Sequence, residues 1–145
     1  MTRPSTSSHE TFDAVVVGGG PAGATAAQTL AEAGRSVLLL DRDGRIKPCG
    51  GAIPPRLIQQ FDIPDEQLVA HITCARIVSP TAHKVDIPIK GGFVGMVDRG
   101  SFDEWLRERA RSKGAERRTG IFHRLEPQDD GTTLVHFHPG ASHTN

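Results

Sequence analysis

The chain has 145 residues, which is enough for one globular domain with a buried core. Its 17 lysines and arginines balance 17 aspartates and glutamates, so no global charge favours nucleic acid or an anionic membrane. Two cysteines cannot form a disulfide framework and indicate a reducing compartment, and no apolar run reaches the ~20 residues of a membrane span. We therefore expect a cytoplasmic protein in which residues 1–10, which lack the hydrophobic core of a secretory signal, form a disordered tail.

A nucleotide-binding pattern begins with the first predicted strand, residues 12–17. The strand leads directly into the motif Gly-x-Gly-x-x-Gly at residues 18–23, and residues 21–33 predict an alanine-rich helix. A second apolar strand, residues 36–40, is followed by Asp41. This order predicts a strand–helix–strand unit with a right-handed crossover, and therefore an α/β, Rossmann-like fold.

Each position of this motif has a physical role in binding a nucleotide. Gly18 allows a sharp turn, Gly20 leaves room for a pyrophosphate, and Gly23 lets the helix lie close to the strand. The helix start then presents free amides to the phosphates, and the carboxylate after the second strand accepts hydrogen bonds from ribose hydroxyls. We assign cofactor contact to six residues of this segment: Gly18, Gly20, Pro21, Ala22, Gly23 and Asp41.

The middle of the chain has weaker patterns. Residues 41–55 are rich in Gly and Pro and predict a long loop, and short helices are expected at residues 56–61 and 65–70. Three stretches predict strands of one small antiparallel sheet: residues 71–79, 84–89 and 93–97.

A third helix is predicted over residues 101–113. Ser101 and Glu104 match a capping box, in which the two side chains satisfy free amides at a helix start. Spacings of three, four, seven and eight predict one buried face, and Gly114 ends the helix. The members of that face are Phe102, Trp105, Leu106, Arg109 and Ala110.

The last predicted elements are a short strand, residues 115–119, and a hairpin of residues 121–125 and 132–137 around Asp130-Gly131. The polar residues 138–145 predict no element. A doubly wound sheet needs more parallel strands than these, so we expect a chain that stops within its fold.

Three segments resemble the geranylgeranyl reductases, which are FAD-dependent flavoproteins of the aromatic-hydroxylase fold. Residues 12–42 match a segment that many FAD oxidoreductases share, whereas KPCGGAIP, residues 47–54, is more particular to reductases of the chlorophyll and bacteriochlorophyll pathway. The third is Arg99-x-x-Phe102-Asp103-x-x-Leu106 at the start of the long helix. The resemblance implies that residues 11–145 are the N-terminal part of an FAD-binding domain, without the family's second FAD motif and substrate domain.

The resemblance also implies a reaction. Such enzymes reduce geranylgeranyl double bonds with NADPH by way of FAD, giving a phytyl group on a diphosphate or on chlorophyll; an archaeal-type lipid is a further alternative. The flavin delivers hydride, and an acid must protonate the neighbouring carbon. A prenyl substrate implies peripheral membrane contact as an alternative to a purely cytoplasmic location. The isolated chain is expected to bind FAD poorly.

Cys49 is the candidate catalytic residue, because small neighbours in its Pro-Cys-Gly-Gly turn let it approach a flavin. Lys47 is close in sequence and would favour the thiolate. The alternative is that Cys49 fills a tight loop as a small hydrophobe. Gly50 and Gly51 are expected to act through positive φ or close cofactor approach.

Two arginines complete the predicted cofactor site. Arg99 matches the arginine that commonly lies near the flavin in this fold, and its alternative is a surface ion pair with Asp98 or Asp103. Arg42 follows the ribose-binding acid, and we expect it over the adenine or near its phosphate, with a solvated side chain as the alternative.

Two further groups predict no site. His136, His138 and His143 have no Cys or acid cluster to complete a metal site. A basic series is diluted by glutamates and predicts a solvated helix face: Arg107, Arg109, Arg111, Lys113, Arg117 and Arg118. The functional alternatives are another FAD-dependent monooxygenase or dehydrogenase of the same fold, and an inactive nucleotide-binding module.

Overall fold

The computed structural model describes residues 9–42 and 48–140. Their contacts divide the chain into two compact units. The first unit holds the described residues 9–42 and 105–140, and the second holds residues 48–104. No helix in the described ranges has the length and apolar character to cross a membrane.

The first unit begins with the predicted strand–helix–strand segment. Strand β1 spans Ala14–Val17, helix α1 spans Pro21–Glu32 and strand β2 spans Val37–Asp41. The two strands are parallel, with Ala14 opposite Val37 and Val17 opposite Leu40. The alanines that face the strands, Ala24 and Ala27, are fully buried, because a helix can pack closely on a sheet only through small side chains.

Strand β2 is the centre of this unit. Its residues Val37, Leu38, Leu39 and Leu40 are at most 4% exposed. Such a continuous apolar run is typical of a strand with both faces covered. The sheet order is β1, β2, then strand β8 (Glu116–Pro127) and strand β9 (Thr133–Pro139).

Strand β8 corrects the prediction of a short strand followed by a separate hairpin. One continuous strand runs parallel to β2 through residues 116–119 and antiparallel to β9 from residue 120 onwards. Gly120 does not turn the chain. A Cβ atom there would lie 2.6 Å from the Phe137 ring and 3.0 Å from Leu40 Cδ1, so this glycine permits close packing. The turn at Asp130-Gly131 is confirmed: Gly131 has φ +83° and Asp130 Oδ1 accepts the Thr132 N–H at 2.9 Å.

The second unit contains two small antiparallel sheets where one was predicted. Strand β3 (Ala52–Ile53), strand β7 (Val94–Met96) and strand β4 (Ala70–Ile72) form a three-stranded sheet in that order. Strands β5 (Cys74–Val78) and β6 (Lys84–Pro88) form a separate exposed hairpin. The predicted strand at residues 71–79 therefore divides at residue 73, because its two halves pair with different partners.

The short helices of this unit also differ from the prediction. Helix α2 spans Pro55–Gln60, but the helix expected at residues 65–70 is a single 3-10 turn, Asp65–Gln67. The chain becomes extended at Leu68, and the Val69 N–H donates to the Met96 carbonyl at 2.7 Å, which draws the chain into the sheet. The loop expected over residues 41–55 contains β3 and ends where α2 begins; residues 43–47 of that prediction lie outside the described residues.

Helix α3 spans Arg99–Ser112 and starts two residues before the prediction. The predicted capping box is wrong, because Asp98 is the cap: its Oδ1 accepts the Ser101 N–H at 3.0 Å. That hydrogen bond, followed by one from the Ser101 hydroxyl, lowers the pKa of Asp98 below its usual value. The predicted buried face is confirmed in Phe102, Leu106 and Ala110, which are at most 4% exposed.

Candidate cofactor-binding site

The glycine loop, residues 18–23, has the backbone geometry that the sequence predicted. Gly18 has φ +106°, a conformation that favours glycine, and its N–H donates to the Leu40 carbonyl at 2.8 Å. A Cβ atom on Gly23 would lie 1.8 Å from the Gly18 carbonyl oxygen. The first turn of α1 and the end of β1 therefore touch through backbone atoms, and only glycine fits at residue 23.

Gly20 differs from both of these glycines. It precedes α1 in an extended conformation, with φ −73°, and a Cβ atom there would meet nothing within 4 Å. Pro21 and Ala22 are exposed, and the first turn of α1 carries no acidic residue and no side-chain cap. The helix start therefore presents unobstructed amides and the positive end of its dipole, a combination that suits a phosphate.

Asp41 lies at the end of β2, where the ribose-binding acid was predicted. Its Oδ1 accepts the backbone N–H of Arg42 at 2.9 Å, and its side chain is 29% exposed. The Arg42 residue itself is exposed. Its contact with adenine or phosphate stays a prediction.

The sequence missed Arg107. It was grouped with a solvated basic face, but its side chain is only 18% exposed. Its Nη1 donates to the Gly19 carbonyl at 3.1 Å and to Asp41 Oδ2 at 3.3 Å. The prediction of a solvated face agrees with the side chains of Arg111 and Lys113, which are 62% and 49% exposed. Arg107 differs because its position on α3 places it over the glycine loop within the same unit.

The second unit contains the cysteine turn, residues 49–51. Cys49 is exposed, and its Sγ accepts the Gly51 N–H at 3.5 Å. Gly51 has φ +70°, and a Cβ atom there would lie 2.3 Å from the Val97 carbonyl oxygen. A Cβ atom on Gly50 would meet nothing within 4 Å. Of the two roles expected for this pair, positive φ is found at Gly51 and not at Gly50, for which close cofactor approach stays a prediction.

Arg99 forms a bidentate ion pair within the same unit. Its Nε and Nη2 donate to the two carboxylate oxygens of Asp103 at 2.8 and 2.7 Å, and the two side chains are 12% and 8% exposed. The Asp103 carboxylate, and to a smaller extent Cys49, raise the pKa of Arg99. The ion pair considered as an alternative for Arg99 therefore exists, but it is buried. Arg99 is also a charged partner of Cys49; Lys47 lies outside the described residues.

The histidines remain apart from these groups. His136 Nε2 lies 3.1 Å from Glu126 Oε2, and the rings of His138 and His123 are 5.3 Å apart. His143 is outside the described residues. Within the described ranges, no group of three or more His, Cys, Asp or Glu side chains could hold a metal ion.

Comparisons with known proteins agree with this geometry. Residues 12–121 match the family model described as pyridine nucleotide-disulphide oxidoreductase. A geranylgeranyl diphosphate reductase of Rhodobacter capsulatus is 68% identical over 124 residues, which are 86% of this chain and 32% of that protein. A chloroplastic geranylgeranyl diphosphate reductase of Oryza sativa is 40% identical over 131 residues, covering 84% of this chain and 28% of that protein. The chain spans about a third of the length of these relatives.

Solved structures show the same fold. A geranylgeranyl bacteriochlorophyll reductase-like protein of Thermoplasma acidophilum superposes with a TM-score of 0.77 at 23% identity, covering 90% of this chain and 38% of that one. The myxobacterial chondrochloren halogenase, an FAD-dependent enzyme, has a TM-score of 0.67 at 22% identity, covering 88% and 35%. The chain therefore has an FAD-binding oxidoreductase fold, belongs to the pyridine nucleotide-disulphide oxidoreductase family and is a homologue of the geranylgeranyl diphosphate reductases.

Proposed function

We propose that this chain supplies the ADP-binding part of an FAD-dependent enzyme that reduces geranylgeranyl double bonds with NADPH. One observation carries the cofactor assignment: the open face of Gly20 at a helix start with no acid in its first turn. The amides of that helix start would hold the pyrophosphate, and Asp41, which is partly exposed, would accept the ribose hydroxyls. Arg42 would lie by the adenine or its phosphate.

Cys49 and Arg99 are the proposed residues closest to the chemistry. FAD, when bound, supplies the hydride, and the protein must supply or position a proton. Arg99 carries five N–H donors; Asp103 takes two and Cys49 is a further partner, and a remaining donor would reach a cofactor while the side chain stays fixed. Cys49 would donate its Sγ proton to the substrate carbon, and the Arg99 guanidinium beside it would stabilise the thiolate that remains; contact with the substrate is the alternative role.

The names of the relatives support a prenyl substrate. The Rhodobacter capsulatus and Oryza sativa proteins are named for geranylgeranyl diphosphate, which we propose as the substrate. A geranylgeranyl chlorophyll or an archaeal-type lipid is the alternative prenyl carrier. Because each carries a long apolar chain, the working enzyme would contact a membrane surface peripherally.

The test uses the exchange protein, in which this chain replaces the matched segment of the Rhodobacter capsulatus relative. Purified exchange protein should contain FAD and should oxidise NADPH when geranylgeranyl diphosphate is added. Gly20→Val should remove FAD, because its side chain occupies the space left for the pyrophosphate, while the protein stays folded. Ala26→Val adds similar bulk at an exposed position of α1 and should leave FAD content unchanged.

The outcomes separate three functions. Folded exchange protein without FAD would contradict the proposal. FAD with NADPH oxidation that ignores every prenyl substrate would favour another FAD enzyme, an alternative that the shared fold with an FAD-dependent halogenase supports. FAD without any turnover would favour a nucleotide-binding module.

A further inference from the structure

We propose that Arg107 is a positioning residue for the adenosine half of the cofactor, because it fixes the Asp41 carboxylate against the glycine loop. The inference rests on the proposed function in one respect, which is that FAD is the nucleotide bound there. Arg107 does not need to touch the cofactor. It would act through Asp41.

The contacts of Arg107 connect two parts of the site. One nitrogen, Nη1, donates both to the Gly19 carbonyl, 3.1 Å away, and to Asp41 Oδ2, 3.3 Å away. The first acceptor belongs to the loop that would hold the pyrophosphate, and the second belongs to the acid that would hold the ribose. Because the Arg107 side chain is only 18% exposed, little water competes for these hydrogen bonds.

The two oxygens of Asp41 are held from different directions. Oδ1 accepts the Arg42 backbone N–H at 2.9 Å, and Oδ2 accepts from Arg107. A carboxylate oxygen has two acceptor positions, so each oxygen keeps one for a ribose hydroxyl. The carboxylate is therefore fixed in orientation before a ligand arrives and is still 29% exposed.

Gly19 gives independent support, because the nucleotide-binding motif leaves residue 19 free to be any amino acid. A Cβ atom there would lie 2.7 Å from Asp41 Oδ2, 3.0 Å from Asp41 Cβ and 2.8 Å from Arg107 Cδ. A side chain at residue 19 would thus displace atoms of Asp41 or Arg107.

A fixed carboxylate binds more tightly than a mobile one, since less rotational freedom is lost when the ligand binds. Loss of Arg107 should weaken the binding only of ligands that carry ribose hydroxyls, because those hydroxyls are the groups that Asp41 would bind. This effect can therefore be separated from a general contribution of Arg107 to folding.

The experiment compares FAD with an FAD analogue that lacks both hydroxyls of the adenosine ribose. In the exchange protein, Arg107→Met should weaken FAD binding by about tenfold and leave the binding of the analogue nearly unchanged. Arg111→Met, one turn further along α3 and solvent-exposed, is the matched control and should change neither constant. Equal weakening of both ligands, or no change in either, would show that Arg107 does not act through Asp41.

A second variant keeps the inference testable if Arg107→Met does not fold. Gly19→Ala displaces the Asp41 side chain without removing any charge, and it should reduce the preference for FAD over the analogue in the same way. An unchanged preference in Gly19→Ala would also overturn the inference. Absence of FAD from the unmutated exchange protein contradicts the proposed function instead, so the two failures are distinguishable.

Discussion

The glycine loop in the first unit and the cysteine turn in the second use glycine in the same two ways. Gly23 and Gly51 are each required by the chain itself, because a Cβ atom would overlap a backbone carbonyl oxygen at 1.8 and 2.3 Å. A Cβ atom on Gly20 or Gly50 would meet nothing within 4 Å. A glycine that the chain does not need for its own packing leaves room for a ligand to approach the backbone. This reasoning supports a ligand at Gly20, and it makes Gly50 the corresponding candidate in the second unit.

The largest effect should come from Gly23→Ala. The overlapping atom is the Gly18 carbonyl oxygen, which cannot rotate away as a side chain would, so we expect a loss of about 3 kcal/mol in the free energy of unfolding. Urea unfolding followed by the fluorescence of Trp105, the chain's one tryptophan, measures the change. Gly20→Ala is the control and should cost less than about 1 kcal/mol. Similar losses in both variants would remove the distinction between the two kinds of glycine.

The cysteine turn provides a second, smaller contrast. Gly51→Ala introduces a side chain at φ +70° that overlaps the Val97 carbonyl oxygen, and we expect a loss of about 2 kcal/mol. Gly50→Ala should be nearly neutral for unfolding, since its surroundings are open and its φ is not in the left-handed region. If Gly50→Ala were the more destabilising of the two, the turn would need Gly50 for its own structure, and Gly50 would no longer be a ligand candidate.

The smallest expected effect is on the pH dependence of stability and concerns Asp98 at the start of α3. The Ser101 N–H lowers the folded-state pKa of Asp98 below 3.8, so the carboxylate contributes stability above that pH and loses it as the pH falls through the lower folded value. Asp98→Asn preserves the cap but cannot titrate. Its stability should match the unmutated protein near neutral pH and decline less steeply below about pH 4.

Asp13 provides the counterpart for this measurement in the first unit. Its Oδ2 accepts the Ser36 N–H at 2.8 Å, and this bond lowers the pKa of Asp13 as well. Asp13→Asn should likewise make the free energy of unfolding decline less steeply at acid pH. Identical pH profiles for the Asp98→Asn and unmutated proteins would contradict the role of the Asp98 carboxylate as the cap.

The sequence predicted those parts of the fold whose cause is local. The bounds of β1, α1 and β2 lie within two residues of the predicted ones, because the apolar runs, the glycine motif and Pro21 act over a few neighbouring residues. The turn at Asp130-Gly131 and the end of α3 at Gly114, which has φ +107°, are local for the same reason. The order of Gly20 and Asp41 along the chain was therefore sufficient to place the candidate nucleotide site.

The parts that the sequence did not predict depend on distant partners. Residues 115–119 and 121–125 were predicted as separate strands, but residues 116–119 pair with β2 and residues from 120 onwards pair with β9 in one continuous strand. Residues 71–79 were predicted as one strand because nothing local marks the change of partner near residue 73. Arg107 was predicted in solvent because its neighbours on α3 are charged, while its own partners lie far away in the sequence.

The position of β2 between β1 and β8 sets the order in which the first unit can fold as the chain leaves the ribosome. Leu38–Asp41 pairs with Glu116–Thr119, so the second edge of β2 stays unpaired until residues 116–119 have been made and have left the ribosome. A leucine-rich edge that waits this long can pair with other chains, and pairing over such a separation is slow. Newly made protein should therefore benefit from a chaperone that covers this edge until residues 116–119 are free to pair.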